Sequence, residues 1–340
     1  MENEARYDEF TDRMVIVARR RGKRPHKYLE EVVKEEKECS FCPGHESETP
    51  KATLLYVIDG DGGILRASDQ EDGRRSDWSV RVFPNMYPAL TTEALKAEKG
   101  MPSAYGYHEV VVENPYHFWR YEEAEPRDIE LPLLALMERG RFMELDNKIE
   151  YVAIFKNQGR DAGASIVHPH FQIIGSTFIS PLISRETSSY LKYLERTGQC
   201  FLCTLPSISR DGGRLVFANE RFAVITPFAS IFPYECWIIP KRHSSSFLES
   251  SVEEISCLAA TLKELFLLYR KAVGSFSFNI VFHSKHTGKA DFHWHLEVYP
   301  RIAVHAGFEL GSGVYVNIIG PEEAALQLLQ AQTDSSCPLK

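Results

Sequence analysis

His168, His170 and Gln172 stand at alternate positions in Ile166-Val167-His168-Pro169-His170-Phe171-Gln172. In a strand, residues two apart share a face, so these three polar groups would form one row. A neutral imidazole is a good nucleophile toward phosphorus and forms covalent intermediates, which makes His170 a candidate nucleophile. The preceding segment, Asn157 to Ser165, offers main-chain N–H groups, the Asn157 amide, the Arg160 guanidinium and the Ser165 hydroxyl to phosphate oxygens. Gln172 can donate to a phosphoryl oxygen but cannot titrate, so it cannot act as the acid or base that water attack requires. Transfer between two phosphates needs little proton movement, and the row suits nucleotidyl transfer better than hydrolysis. Pro169 has no N–H for a strand ladder, which predicts an edge or bulged strand.

The elements that must position this row occur twice. A predicted strand from Tyr107 ends at His117, and a helix follows from Pro126 to Leu145 with Ile129, Leu133, Leu136 and Met137 on one face. A strand at 150–155 then leads into the row. In the second part, strand Phe222–Thr226 precedes a run to His243. A helix opens near Ser250, where Ser250 and Glu253 have capping-box spacing, and strand Ser277–Phe282 leads to a second row, His293, His295 and Glu297. Glu109 precedes His117 by eight positions and Glu235 precedes His243 by eight; His117 precedes His168 by 51 and His243 precedes His293 by 50. Duplication is the economical explanation, with halves 1–185 and 186–340. The predicted fold class is α+β, each half having an antiparallel sheet and a packed helix. Because Glu297 replaces Gln172 and no comparable loop precedes it, the second row is expected to be a structural copy without a catalytic role.

The chain has seven cysteines, four of them in two C-x-x-C pairs, Cys39/Cys42 and Cys200/Cys203. In a reducing compartment such pairs mark metal sites or redox motifs rather than structural disulfides. The repeat supplies each pair with two histidines at matching offsets: His117 and His168 in the first half, His243 and His293 in the second. Two zinc sites with four protein ligands each would be closed and structural. His168 would then serve the metal and leave His170 available beside a rigid neighbour.

The 340 residues carry a net charge of −8, with 44% hydrophobic and 25% charged residues, ordinary for a globular protein. This balance argues against nucleic-acid binding, the basic run Arg19 to Lys27 being a local exception. No apolar run is long enough to span a membrane and the N-terminal residues do not resemble a signal peptide, so a cytoplasmic location is the expectation.

Taken together, Arg21-Gly22-Lys23-Arg24-Pro25, the Cys39/Cys42 pair, Phe83-Pro84-Asn85, Asn157 through His-Pro-His-Phe-Gln, and His283 with His293-Trp294-His295 and Tyr299-Pro300 resemble the galactose-1-phosphate uridylyltransferases of the histidine-triad superfamily. The resemblance covers most of the chain and implies a duplicated histidine-triad-like fold. It also implies a ping-pong reaction in which His170 carries UMP from UDP-glucose to a hexose 1-phosphate. Gln172 would steady the nucleotidyl group, Asn157 and Ser165 would hold phosphate oxygens, and Arg21 and Arg24 would bind phosphate. Phe83 and Asn85 would contact the nucleoside and Glu309 the sugar hydroxyls. Members of the family are homodimers whose active sites are completed across the interface.

In well-studied members the second metal, which can be iron, is held by a Glu and three His, and Glu186, His283, His293 and His295 match those positions. The second C-x-x-C instead resembles the two-zinc branch that includes plant-type ADP-glucose phosphorylases. Ala303-Val304 also replaces the Lys-Phe of the galactose enzymes. The alternative activity is therefore an ADP-glucose phosphorylase transferring AMP to phosphate. A reading of another class is a zinc-stapled nucleotide-binding protein without catalysis.

Overall fold

The structure, a computed structural model, describes residues 3–23, 39–70, 73–93, 104–285 and 291–333. Arg24 and the end of the basic run lie outside them.

The described chain begins with β1 (Glu4–Asp8) and β2 (Arg13–Val17), followed by a 3-10 turn, Arg19–Lys23. Strands β3 (Leu54–Ile58), β4 (Ile64–Ala67), β5 (Val80–Pro84) and β6 (Gly106–Val112) precede helix α1 (Pro126–Glu144). Strands β7 (Tyr151–Gln158) and β8 (His170–Ser176) follow, then helices α2 (Pro181–Thr197) and α3 (Phe201–Asp211). The remainder comprises β9 (Leu215–Ala218), β10 (Phe222–Ile225), β11 (Cys236–Pro240), α4 (Val252–Ala272), β12 (Phe278–His283) and β13 (His295–Pro300). The last described elements are α5 (Gly307–Ser312), β14 (Val314–Asn317) and α6 (Pro321–Thr333).

The α+β class and the repeated plan expected from the sequence are both present, with one difference. The two halves do not keep separate sheets. Eleven strands form one sheet in the order β4-β3-β5-β6-β8-β7-β12-β13-β11-β10-β9. All its pairings are antiparallel. The seam joins β7 to β12, which occupy the same place in their halves, and main-chain pairing there removes an exposed edge from each. A second, three-stranded sheet, β1-β2-β14, brings together the two ends of the chain, with β14 parallel to β2.

Strand alternation divides the large sheet into two faces. One carries Val82, Val111, Phe171, Ile173, Ile280, Phe282, Leu296 and Ile238, which pack with residues of α1 and α4 in the main core. Burial of such side chains stabilises the fold by about 1.5–3 kcal/mol each. The opposite face carries His170 and Gln172. In the second half that face is covered by Phe10 and by Tyr190, Leu202 and Leu205 of α2 and α3, packed on Ile225, Trp237 and Ile239.

Three sequence expectations need correction, and one motif gains an element. Helix α4 is capped one residue later than its spacing suggested: the Ser251 hydroxyl accepts from the Glu254 N–H and the Glu254 carboxylate accepts from the Ser251 N–H, closing a capping box. Strand β8 is central rather than an edge, and Pro169 lies just before it, where no ladder N–H is required. The second C-x-x-C, to which the sequence assigns no element, opens a helix: Cys200 is the N-cap of α3 and Cys203 lies in its first turn. Glu109 and Glu235 are not equivalent: register sends Glu109 to Arg139 on the helix-covered face and Glu235 to Arg13 on the other.

Candidate active site and metal-ligand clusters

The loop between β7 and β8 delivers the histidine row. Gly159 and Gly163 both have a φ of 83°, a value that favours glycine, and a 3-10 turn links them. The N–H groups of Ala162 and Ala164 donate to the Gly159 carbonyl and that of Gly163 to Arg160, so these three are committed within the turn rather than offered to phosphate. Ser165, at its end, is exposed. His168 precedes the strand, and β8 starts at His170.

His170 is 6% exposed, and its Nδ1–H donates to the His168 carbonyl at 2.8 Å. That bond leaves Nε2 as the imidazole's lone-pair nitrogen. Burial pushes the ring down to about 4, against the carbonyl contact and with Lys156 adding to the effect, which keeps it neutral at pH 7. The Phe41 ring meets His170 edge-on at 5.3 Å between centroids and also touches Phe83 at 5.5 Å. Phe83 is only 2% exposed and forms part of an apolar wall with Phe41 and Val110. Gln172 accepts a hydrogen bond from His108 at 2.8 Å, and Asn85 borders the same His108 nitrogen at 3.2 Å. Asn157 continues the β7–β8 register to the position opposite His170 and accepts from the Asn279 amide at 2.8 Å.

Two of the substrate residues inferred from family resemblance lie on other elements. Arg21 is on the Arg19–Lys23 turn, where its N–H donates to the Ala18 carbonyl at 2.8 Å; the Ala18 N–H in turn donates to the Asn317 carbonyl at 2.7 Å and ties the turn to the C-terminal segment. Glu309 is on α5, where it caps the helix by accepting from the Ala306 N–H at 2.9 Å.

The cysteine pairs and their histidines converge as two groups, Cys39, Cys42, His117, His168 and Cys200, Cys203, His243, His293. Within each group the ligand atoms lie within 4.8 Å of one another. The sulfur-to-Nδ1 separations are 3.4–3.8 Å in the first group and 3.3–3.5 Å in the second. A tetrahedral site with zinc-like bond lengths has S···N edges of about 3.6 Å, so the donor sets fit such an ion. His168 donates its Nε2–H to the Asn114 carbonyl at 2.7 Å and His293 donates to Pro240 at 2.9 Å, which turns Nδ1 toward the sulfurs in both. The segment presenting Asn114 is anchored by the buried Glu113–Lys156 ion pair, with the Tyr121 hydroxyl on the same carboxylate.

The second half places different residues at the equivalent positions. Glu186, His283 and His295 form a third convergent group, while His293 is turned to the cysteines. The Glu297 carboxylate lies 3.0 Å from Arg13, and Glu235 lies 3.2 Å from it. Burial alone would raise Glu297, but Arg13 and His283 more than offset it and hold it well below the carboxylate range. Arg13 thus lies on the same face of the sheet that carries His170 in the first half.

Sequence reading missed His108, Phe41 and Arg13. Alternation of His108, Val110 and Val112 was visible, but pairing with Gln172 depends on strand register. Arg13 is 222 residues from Glu235 and 284 from Glu297, and no local pattern announces it.

Among known proteins, the chain is 30% identical over 338 residues to an ADP-glucose phosphorylase of Arabidopsis thaliana, covering 95% of this chain and 91% of that one. It is 29% identical over 348 residues to a galactose-1-phosphate uridylyltransferase of Thermotoga maritima, covering 97% and 99%. The crystal structure of an Arabidopsis ADP-glucose phosphorylase with bound ADP-glucose superposes with a TM-score of 0.83 at 29% identity, covering both chains fully. No protein-family model matches. The chain belongs to the galactose-1-phosphate uridylyltransferase and ADP-glucose phosphorylase family of nucleotidyltransferases.

Proposed function

We propose that the chain transfers a nucleotidyl group from a nucleotide sugar to a phosphate-bearing acceptor through a covalent bond to His170. The observation that carries this reading is the tautomer of His170, whose Nδ1–H on the His168 carbonyl leaves Nε2 as nucleophile. Nε2 attacks the α-phosphorus; the bond from that phosphorus to the bridging oxygen breaks, and the sugar 1-phosphate leaves with the electron pair. An oxygen of the acceptor phosphate then attacks the same phosphorus, the P–N bond breaks, and neutral His170 returns. Nδ1–H remains on its carbonyl throughout, so no proton has to cross the site.

Gln172 and Asn157, on the face of the sheet that carries His170, donate to non-bridging oxygens. Ser165, Arg21 and Arg24 are assigned to phosphate, Phe83 and Asn85 to the nucleoside, and Glu309 to the sugar. We assign Zn2+ to both Cys2His2 groups; four protein ligands leave no open position, so its contribution there is structural. A reducing cytoplasm suits those thiolates, and a homodimer is the assembly that would bring Arg21 and Glu309 to a partner's site.

ADP-glucose with phosphate as acceptor is placed ahead of UDP-glucose with a hexose 1-phosphate. The Arabidopsis relative, the second C-x-x-C and Ala303-Val304 support that order. Intact-mass measurement after incubation with either nucleotide sugar, without acceptor, tests the reading. Addition of AMP or of UMP identifies the donor. No addition with either overturns covalent transfer and favours a binding protein that releases no sugar phosphate; addition that persists in His170→Ala overturns His170 as the nucleophile.

A further inference from the structure

His108 lies on β6 two residues before Val110, the direct partner of Gln172, and on the same face as His170. Its Nδ1 accepts the N–H of Ala89 at 3.0 Å. A donor at that position requires a bare Nδ1, so the proton of the neutral ring is on Nε2. That N–H reaches Gln172 Oε1 at 2.8 Å. Burial lowers the imidazole below its ordinary 6.5, with the Gln172 contact opposing, so the ring is neutral at pH 7.

The consequence falls on Gln172. A side-chain amide has an acceptor end and a donor end of nearly equal shape, and only the donor end suits a phosphoryl oxygen. With Oε1 bound to His108, the NH2 becomes the outward end. Asn85 is set in the same way. Its Oδ1 accepts from the Tyr87 N–H at 2.8 Å, and its NH2 borders His108 Nε2–H at 3.2 Å, where two donors cannot bond. The NH2 groups of both amides are therefore left for acceptors that a ligand brings. The Asn85 N–H donates to the His108 carbonyl at 2.8 Å, which links this arrangement to the turn after β5.

We propose that His108 is a positioning residue for the transfer reaction: as a neutral Nε2–H donor it orients the Gln172 carboxamide so that its NH2 faces the phosphoryl oxygen. The inference rests on the function proposed above. Without His108 the amide can reverse and point its oxygen at the phosphoryl oxygen. Deleting one preorganised donor of this type costs about 10²–10³ in rate, and loss of orientation alone should cost about 10-fold or somewhat more.

The test is a single-turnover measurement of nucleotide attachment by intact mass, using whichever of ADP-glucose and UDP-glucose labels the wild-type chain. Metal content and thermal melting serve as folding controls. His108→Leu should lower the attachment rate constant at saturation about 10-fold or more, with little change in the half-saturating concentration. His108→Gln, whose NH2 can reach the same oxygen, should recover most of that rate. In a Gln172→Ala background His108→Leu should add no further loss. Equal losses in both backgrounds, or a His108→Gln variant as slow as His108→Leu, would overturn the proposal. Nitrogen-15 spectra of the wild-type imidazoles give a readout independent of turnover: a protonated Nε2 and bare Nδ1 at His108 are expected, and a protonated Nδ1 overturns the inference. Absence of any adduct on the wild-type chain would defeat the function reading instead, while the tautomer would still decide the role of His108.

Discussion

The main chain of His168 holds the side chain of His170: the His170 Nδ1–H ends on the His168 carbonyl at 2.8 Å, while the His168 ring turns Nδ1 toward Cys39 and Cys42. One residue thus joins a metal-ligand cluster to the candidate nucleophile through a single peptide. Stripping the metal, or replacing Cys39 by Ser, should release that peptide and slow nucleotide attachment by about 10–100-fold, the range typical of perturbed supporting contacts around metal sites. Metal release followed with a chromophoric chelator, together with adduct formation, checks this. Full-speed attachment by metal-free protein would show that the cluster does not orient His170.

Gln172 cannot titrate, and its replacement by a group that can should change the fate of the intermediate. Gln172→Glu is expected to slow attachment, because a carboxylate repels phosphoryl oxygens, and to let water remove the nucleotide by supplying a general base. Decay of the adduct mass in acceptor-free buffer measures the second effect. A Gln172→Glu adduct as long-lived as the wild-type one would contradict it.

Arg13 pairs with Glu235 and Glu297 in a buried setting where neither carboxyl reaches water; burial pushes Glu235 up to about 7 against Arg13, while Arg13 and His283 hold Glu297 low. Arg13→Met should cost roughly 3–5 kcal/mol, since it removes the guanidinium that the two buried acids share. Adding Glu297→Gln should return part of the loss. Urea unfolding of the single and double variants provides the comparison, and an undiminished midpoint for Arg13→Met would refute the assignment.

Asp69 supplies a pH test with a defined sign. Burial would raise its carboxyl, but the Ala52 N–H, the Arg81 guanidinium and the Arg75 N–H outweigh burial and hold it below 3.8. Its stabilisation is present above 3.8 and is lost as pH falls through the lowered value. Arg81 lies 4.8 Å over the Phe83 ring, so this carboxylate also supports the wall beside His170. Asp69→Asn should cost about 1–3 kcal/mol at neutral pH by leaving Arg81 without its anion. It should also flatten the decline in urea midpoint between about pH 5 and about pH 2. An unchanged slope would remove Asp69 from the account.

The parts of this molecule that could be read from its sequence are those written in local spacing. The helix at Pro126–Glu144, the His168-x-His170-x-Gln172 row and the cysteine pairs with their histidines each follow from periodicity or repetition. Helices α2 and α3 have no counterpart in the first half, so the repeat does not announce them, and a C-x-x-C spacing does not reveal that Cys200 caps a helix. Equal spacing of Glu109 and Glu235 suggested equivalence, yet a one-residue difference in strand register reverses the face of a side chain. His108 and Arg13 act through partners whose proximity only the assembled sheet creates.

The seam between β7 and β12 has an evolutionary consequence. These equivalent strands pair antiparallel, as two copies of one subunit would across a two-fold axis. Two identical subunits share one gene, so a mutation that closes one pocket closes both. Once fused, the halves mutate separately. One copy could accept Arg13 across its histidine row and become a rigid buttress, while the other kept His170 and Gln172 without a partner constrained to match it.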